Sequence, residues 1–138
     1  MKRKEEFLFY IFWIGGQIMA KESKFQKDLI KEIKKTFPGC MVLKNDPTYI
    51  QGIPDILILY KKKWAALECK QHAKAKHRPN QDYYISKMNS MSFGRFVYPE
   101  NKQEVIHDLQ QAFGVRRATC TPLRKQTCMD QIRQYKVP

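Results

Sequence analysis

Two short apolar segments in the middle of the chain constrain its fold more than any other feature. Residues 53–60 read Ile-Pro-Asp-Ile-Leu-Ile-Leu-Tyr, a nearly continuous apolar run that is typical of a central strand covered on both faces. Lys61, Lys62 and Lys63 are predicted to form a turn, and residues 64–70 return as the second strand of a hairpin. The centre of the molecule is therefore predicted to be a β-sheet.

Helical and strand patterns flank this hairpin. Residues 22–37 predict an amphipathic helix, because Phe25, Leu29 and Ile33 recur at every fourth position before Pro38-Gly39. The other predicted elements are a strand at 40–43, a helix at 79–91 that begins with a proline, and a second strand at 95–98. A last helix is predicted at 101–113, with a capping box from Asn101 to Glu104. This order predicts an α/β fold with a mixed central sheet flanked by helices.

Composition divides the 138 residues into one domain, 19–114, and two flanking segments. Residues 1–18 contain an apolar run at 7–14 that is far shorter than the roughly 20 residues needed to span a bilayer. Three readings of this N-terminal extension stay open: a signal or membrane-surface segment, an element packed on the domain or a partner, or a poorly integrated extension. Residues 115–138 are predicted to be a basic tail, with six basic residues against Asp130.

Charge and cysteine spacing narrow the class of protein. Lys and Arg number 26 against 13 Asp and Glu, and a net charge of +13 predicts a polyanionic partner, nucleic acid first and anionic membrane second. The four cysteines lack the paired spacing of a zinc ribbon, which predicts free, reduced thiols in a cytoplasmic protein. A hydrophobic fraction of 43% excludes a globally disordered chain.

Charged residues at one end of the hairpin point to chemistry. Asp55 interrupts an apolar strand, where a buried carboxylate without a partner is costly. Because side chains alternate along a strand, Glu68 and Lys70 share one face and Cys69 takes the other. The hairpin brings Asp55 to the Glu68 and Lys70 pair. Two carboxylates and water suit Mg²⁺, which polarises a phosphate oxygen and acidifies a bound water, while a lysine stabilises the transition state. The alternative is an ion pair at a strand end.

Pro54-Asp55 followed by Glu68-Cys69-Lys70 resembles the PD-(D/E)xK pattern of the restriction-endonuclease-like nucleases. Gly52-Ile53-Pro54-Asp55 and a glutamine in the following helix, Gln81, are most similar to the virus-type replication-repair nuclease branch. The resemblance spans residues 21–113. It implies a restriction-endonuclease-like core of order α-β-β-β-α-β-α and hydrolysis of DNA with Mg²⁺, for which Mn²⁺ substitutes.

The resemblance also implies roles for individual residues. Asp55 and Glu68 bind the metal, helped by the Cys69 carbonyl and by Glu22, and Gln81 holds water or phosphate at the site. Glu22 extends the apolar stripe of the first helix, although an acid there also complements the helix dipole. For Gln81 the alternative is a satisfied buried amide.

Basic residues around the predicted site are expected to contact the phosphate backbone: Lys44, Lys74, Lys76 and Arg78. His72 and His77 are predicted to be solvated loop residues.

The leading hypothesis is a structure-selective DNA endonuclease of viral or phage type, acting on junctions, flaps or repair-type DNA in the cytoplasm of a host cell. It is expected to be a homodimer without a small-molecule cofactor. The alternatives are a nucleic-acid-binding module that kept the nuclease fold without turnover, and a membrane-surface protein acting through residues 7–14 and the basic tail.

Overall fold

The computed structural model describes residues 2–115 of the chain, with the side chains of residues 8, 10–17 and 19–115. Three helices and four strands follow in the predicted order, helix, three strands, helix, strand, helix. The helices are α1 (Lys2–Thr36), α2 (Pro79–Met91) and α3 (Lys102–Phe113), and the strands are β1 (Met41–Lys44), β2 (Ile56–Tyr60), β3 (Lys63–Cys69) and β4 (Gly94–Val97).

The strands form one open mixed sheet in the order β1-β2-β3-β4. The first three run antiparallel to their neighbours, and β4 lies parallel to β3 after the crossover through α2. The β2–β3 hairpin pairs Tyr60 with Lys63, so that Lys61 and Lys62 alone make the turn. The mixed α/β architecture is confirmed.

One face of the sheet forms the hydrophobic core with α1 and α3. Alternate residues of β2 and β3 point to this face, where they pack against Leu29 and Ile33 of α1 and Leu109 of α3. The strand residues are Ile56, Ile58, Tyr60, Ala65, Leu67 and Cys69. Rings of Phe37, Tyr60 and Phe113 close one end of this core, with centroids 5.2 to 5.6 Å apart.

Helix α2 covers part of the opposite face, where it packs on β3 and β4. A Cβ atom at position 94 would lie 2.7 Å from the carbonyl oxygen of Ile85, so the glycine lets α2 approach the first residue of β4 closely. On β1 and β2, Met41, Leu43 and Leu59 on this face remain exposed to solvent.

The first helix is much longer than the amphipathic pattern predicts. It begins at Lys2 instead of residue 22 and therefore includes the N-terminal extension. Leu8, Tyr10, Phe12 and Trp13 on this extension are exposed. No helix within residues 2–115 is long and apolar enough to cross a membrane.

Two local predictions are wrong. The capping box of α3 does not form, because the Asn101 side chain accepts a hydrogen bond from the Tyr98 backbone N–H and donates to the Phe96 carbonyl oxygen. Strand β2 begins at Ile56 and not at residue 53, where Pro54 has no N–H to donate to a ladder. The predicted free thiols are confirmed for Cys40 and Cys69. Cys120, Cys128 and the rest of the tail after Val115 lie outside the described residues.

Candidate active site

The end of the β2–β3 hairpin brings Asp55 against β3. Asp55 directly precedes β2, and its Oδ2 accepts a hydrogen bond of 3.0 Å from the backbone N–H of Cys69. Its carbonyl oxygen accepts the backbone N–H of Asn45 at 2.9 Å, which ties it also to β1. The Asp55 carboxylate is thus held beside the last residues of β3.

Glu68 and Lys70 lie on the face of the sheet that α2 covers. Both are buried, with 2% and 8% of their surfaces exposed. Lys70 Nζ lies 3.3 Å from Glu68 Oε1. The alternation of β3 sends the neighbouring Cys69 side chain into the core, so the structure places Glu68, Cys69 and Lys70 as the strand pattern predicts.

Gln81, in the first turn of α2, connects these two charged side chains. Its Nε2 donates a short hydrogen bond to Glu68 Oε1, and its Oε1 accepts one of 2.8 Å from Lys70 Nζ. The same oxygen accepts the backbone N–H of Arg78 at 2.9 Å. Gln81 therefore lies at the site and is a satisfied buried amide, while its role in holding water or phosphate stays a prediction.

Burial and mutual repulsion shape the electrostatics of the two carboxylates. Burial raises the pKa of Asp55, against the opposing effects of the Cys69 N–H and the Lys70 ammonium. Burial and the charge of Asp55 together raise the pKa of Glu68 to about 7, although Lys70 opposes the shift. One lysine thus fails to compensate two carboxylates, and the site favours an additional cation.

The free oxygen of Glu68 fits such a cation. Glu68 Oε2 is buried and accepts no hydrogen bond from the described residues. A divalent ion bound there and at Asp55 would satisfy this oxygen and relieve the repulsion between the acids. Within residues 2–115, no three acidic, histidine or cysteine side chains converge to hold a metal. Water or phosphate oxygens would therefore complete the coordination.

These residues lie at one wall of an open cleft of about 500 Å³. A basic segment between β3 and α2 contributes Lys74, Lys76 and Arg78 to the lining of this cleft. The cleft has the size and the charge to admit a phosphodiester group and its immediate neighbours. Its lining residues include Glu22, Pro47, Gly52, Ile53, Asp55, Glu68, Lys70, His72 and Gln81.

The remaining predicted site residues are placed as follows. Glu22 of α1 is half-buried and lines the cleft. Cys69 can offer a metal only its carbonyl oxygen, since its thiol lies in the core, where burial raises the thiol pKa. Lys44 is the last residue of β1 and lies opposite Ile56 in the β1–β2 ladder. It is not among the described residues that line the cleft. Its charge nevertheless lowers the pKa of Asp55, against the larger effect of burial.

His72 and His77 lie in the loop between β3 and α2 and are exposed, as predicted. His72 also lines the cleft. His77 is not merely solvated, because its ring stacks on Phe96 at 4.0 Å and its Nδ1 lies 2.7 Å from Asp82 Oδ1. His77 therefore anchors the basic segment to β4 and α2.

Comparison of the chain with protein-family models, with curated proteins and with solved structures finds no match. The functional interpretation therefore depends on the residues of the cleft.

Proposed function

We propose that this protein is a Mg²⁺-dependent nuclease that hydrolyses the phosphodiester bonds of DNA. The observation that carries the proposal is the convergence of two carboxylates, the half-buried Asp55 and the buried Glu68, beside Lys70 on the wall of a basic cleft. The order of elements and the Pro54-Asp55 and Glu68-Cys69-Lys70 motifs support a restriction-endonuclease-like core of the virus-type replication-repair nuclease kind.

Asp55 and Glu68 would hold the metal, with the Cys69 carbonyl and Glu22 as further oxygen donors. When bound, the ion supplies polarisation of the scissile phosphate and acidification of a water. Mn²⁺ offers the same preference for oxygen ligands and is expected to substitute. The buried, unpaired Glu68 Oε2 is the atom that favours this assignment most directly.

Lys70 is oriented for the reaction by its neighbours. Two of its three ammonium protons are directed at Gln81 Oε1, 2.8 Å away, and at Glu68 Oε1, 3.3 Å away. The third is left to donate to a phosphate oxygen or to the attacking water, where it stabilises the charge that develops in the transition state.

The basic side of the cleft would position the DNA backbone. Lys74, Lys76 and Arg78 offer charge to phosphates and carry no sequence information in doing so. A structure-selective endonuclease, acting on junctions, flaps or repair-type DNA, fits such a surface. A homodimer would present two such clefts to one branched substrate.

Cleavage of a panel of linear, flapped and four-way DNA, with Mg²⁺ or with EDTA, tests the proposal. Asp55→Ala and Lys70→Ala are expected to lower Mg²⁺-dependent cleavage by at least about a thousandfold while DNA binding is retained. Glu100→Ala and Lys62→Ala remove an exposed acid and an exposed lysine outside the cleft and serve as matched controls. Full activity of either cleft variant contradicts the assignment.

A non-catalytic nucleic-acid-binding module is the second candidate. It is favoured by the net charge of +13, which suits DNA binding with or without turnover. Such a module would bind DNA equally well with Mg²⁺ and with EDTA, and it would leave every substrate of the panel intact.

A further inference from the structure

We propose that the loop between β1 and β2, residues 45–55, is a nucleobase-binding site in which Tyr49 stacks on an unpaired base. The inference rests on the proposed nuclease function and deepens it, because it specifies the substrate as DNA with an unpaired nucleotide next to the scissile phosphate. Three observations carry it: the loop is fixed, it forms part of the cleft wall, and Tyr49 is exposed.

The base of this loop is tied to the acidic residue of the site. Asn45 Nδ2 donates a hydrogen bond of 2.7 Å to the Pro54 carbonyl oxygen. The Asn45 backbone N–H donates one of 2.9 Å to the carbonyl oxygen of Asp55. The two ends of the loop are thereby closed on each other, and its position is coupled to that of the Asp55 carboxylate.

Backbone turns hold the segment that carries Tyr49. Asp46 Oδ1 accepts the backbone N–H of Thr48 at 2.8 Å and the Thr48 hydroxyl at 2.6 Å. The Tyr49 N–H donates to the Asp46 carbonyl oxygen at 3.2 Å. These bonds fix the direction of the Tyr49 backbone before any ligand arrives, which reduces the entropy cost of binding.

The second half of the loop is pressed against the start of α2. Gly52 has a φ of +87°, and a Cβ there would lie 2.4 Å from the Asn80 Cβ. Asn80 Nδ2 also donates to the Gln51 carbonyl oxygen at 3.4 Å. Only glycine permits this contact, and the contact joins the loop to the helix that carries Gln81.

Tyr49 stands in this fixed loop with 85% of its surface exposed. Pro47, Gly52 and Ile53, on either side of it along the chain, line the cleft. Tyr49 itself does not line the cleft, but its position in the chain between these lining residues puts it next to the cleft wall. An exposed aromatic ring beside a basic groove is a platform on which proteins stack the bases of single strands.

The stacking partner must be unpaired. Inside a duplex both faces of a base are covered by its neighbours, so an aromatic side chain can stack only on a base that is terminal, looped out or single-stranded. The open cleft of about 500 Å³ has room for a nucleotide and its flanking phosphate. The substrate class that fits both conditions is DNA with a flap, gap or bulge at the cleavage point.

Binding measured in EDTA tests the inference without any cleavage. The probes are one fully paired duplex and one flapped duplex of the same sequence, each with 2-aminopurine at the junction as a fluorescent reporter of stacking. Tyr49→Ala is expected to weaken binding of the flapped probe by about tenfold or more, to abolish the quenching of 2-aminopurine, and to leave the paired duplex unaffected. Tyr49→Phe, which keeps the ring, is expected to behave as the unmodified protein.

Tyr83→Ala is the matched control, since Tyr83 is a 57%-exposed tyrosine on α2 whose ring already contacts Tyr84 and Lys87. An equal loss for paired and flapped DNA in Tyr49→Ala, or no loss, overturns the stacking site. A Tyr49-dependent preference for flapped DNA in a protein that cleaves nothing supports the stacking site and refutes the nuclease. If Tyr49→Ala cleaves the flapped DNA with an unchanged rate and KM, the result supports the nuclease and refutes the stacking site.

Discussion

The two faces of the sheet differ in what their side chains do, and strand β3 shows this within three residues. Leu67 and Cys69 point to the face covered by α1 and α3, where they belong to the hydrophobic core. Glu68 points to the other face, where it meets Lys70 and Gln81 under the start of α2. Core packing and charged chemistry are therefore separated by the alternation of a single strand.

This difference teaches how a small domain tolerates buried charges. Burial of the Glu68 carboxylate costs folding free energy that the site itself does not fully recover, because Glu68 Oε2 lacks a hydrogen-bond partner among the described residues. The apolar face supplies the compensation. Substitutions on the two faces are therefore expected to separate stability from activity.

The largest effect is expected on the core face. Leu67→Ala removes a fully buried side chain and should lower the free energy of unfolding by about 2–5 kcal/mol, measured by urea denaturation. Leu59→Ala, on the half-open opposite face of β2, is the control and should cost under about 1 kcal/mol. Similar losses for the two variants would contradict the assignment of the faces.

On the charged face, Glu68→Gln is expected to stabilise the metal-free protein by about 1–3 kcal/mol at pH 8. The substitution keeps an acceptor for Gln81 and leaves one acid, Asp55, opposite one lysine. Thermal denaturation in EDTA measures the change. A loss of stability in Glu68→Gln would contradict the conclusion that the ionised Glu68 side chain destabilises the metal-free protein.

The same carboxylate predicts a pH dependence. Because the pKa of Glu68 is raised from 4.5 to about 7, the folded protein binds this proton more tightly than the unfolded chain does. Its contribution to stability is therefore present below pH 4.5 and is lost as the pH rises through about 7. In EDTA, the melting temperature of Glu68→Gln should lack this component of the pH dependence, which a series of melts from pH 4.5 to 8 would reveal.

A smaller effect is expected at the margin of the charged face. Gly52→Ala places a methyl group against Asn80 at a φ of +87° and should cost about 1–2 kcal/mol, since the β1–β2 loop must shift. The cleavage rate should also fall, by more than any loss of folded protein explains, because the loop is hydrogen-bonded to Asp55. Gly39→Ala, at a positive φ far from the site and with no atom near its Cβ, is the matched control for backbone strain. Equal cleavage rates for Gly52→Ala and Gly39→Ala would show that the conformation of the β1–β2 loop does not affect the site.

The smallest effect is expected at the rim of the core face. Lys102 Nζ lies 2.7 Å from Glu32 Oε2 and joins α3 to α1 in a partly exposed ion pair. Lys102→Met should lower the free energy of unfolding by less than about 1 kcal/mol and leave cleavage unchanged, which parallel denaturation and cleavage assays would check. A large loss of cleavage would contradict the expectation that substitutions on the core face change stability and leave activity intact.

The order of elements could be predicted because each carries its own local signal. The periodicity of 22–37, the apolar runs of the hairpin and the proline at the start of α2 all agree with the structure. The N-terminal half of α1 has no such signal. Its apolar residues follow one another in the sequence and form no single stripe, and Gly15-Gly16 has low helix propensity. Asn101 has a capping sequence but uses its side chain on β4 and the turn after it, which is a tertiary choice.

Within the site, strand alternation and hairpin geometry suffice to bring Asp55, Glu68 and Lys70 together. The double hydrogen bonding of Gln81 depends on the distance between α2 and the sheet, which the close approach at Gly94 sets. The fixed conformation of the β1–β2 loop likewise arises from contacts between segments that are distant in the sequence, and no spacing rule encodes it.

The length of the first helix has a hydrodynamic consequence. At 35 residues α1 extends about 50 Å, whereas a small domain measures about 30 Å across. The described part of the molecule, residues 2–115, is therefore elongated along the axis of α1, which slows its end-over-end rotation relative to that of a compact sphere. Nuclear spin relaxation and sedimentation would both sense a frictional asymmetry that originates in a single helix.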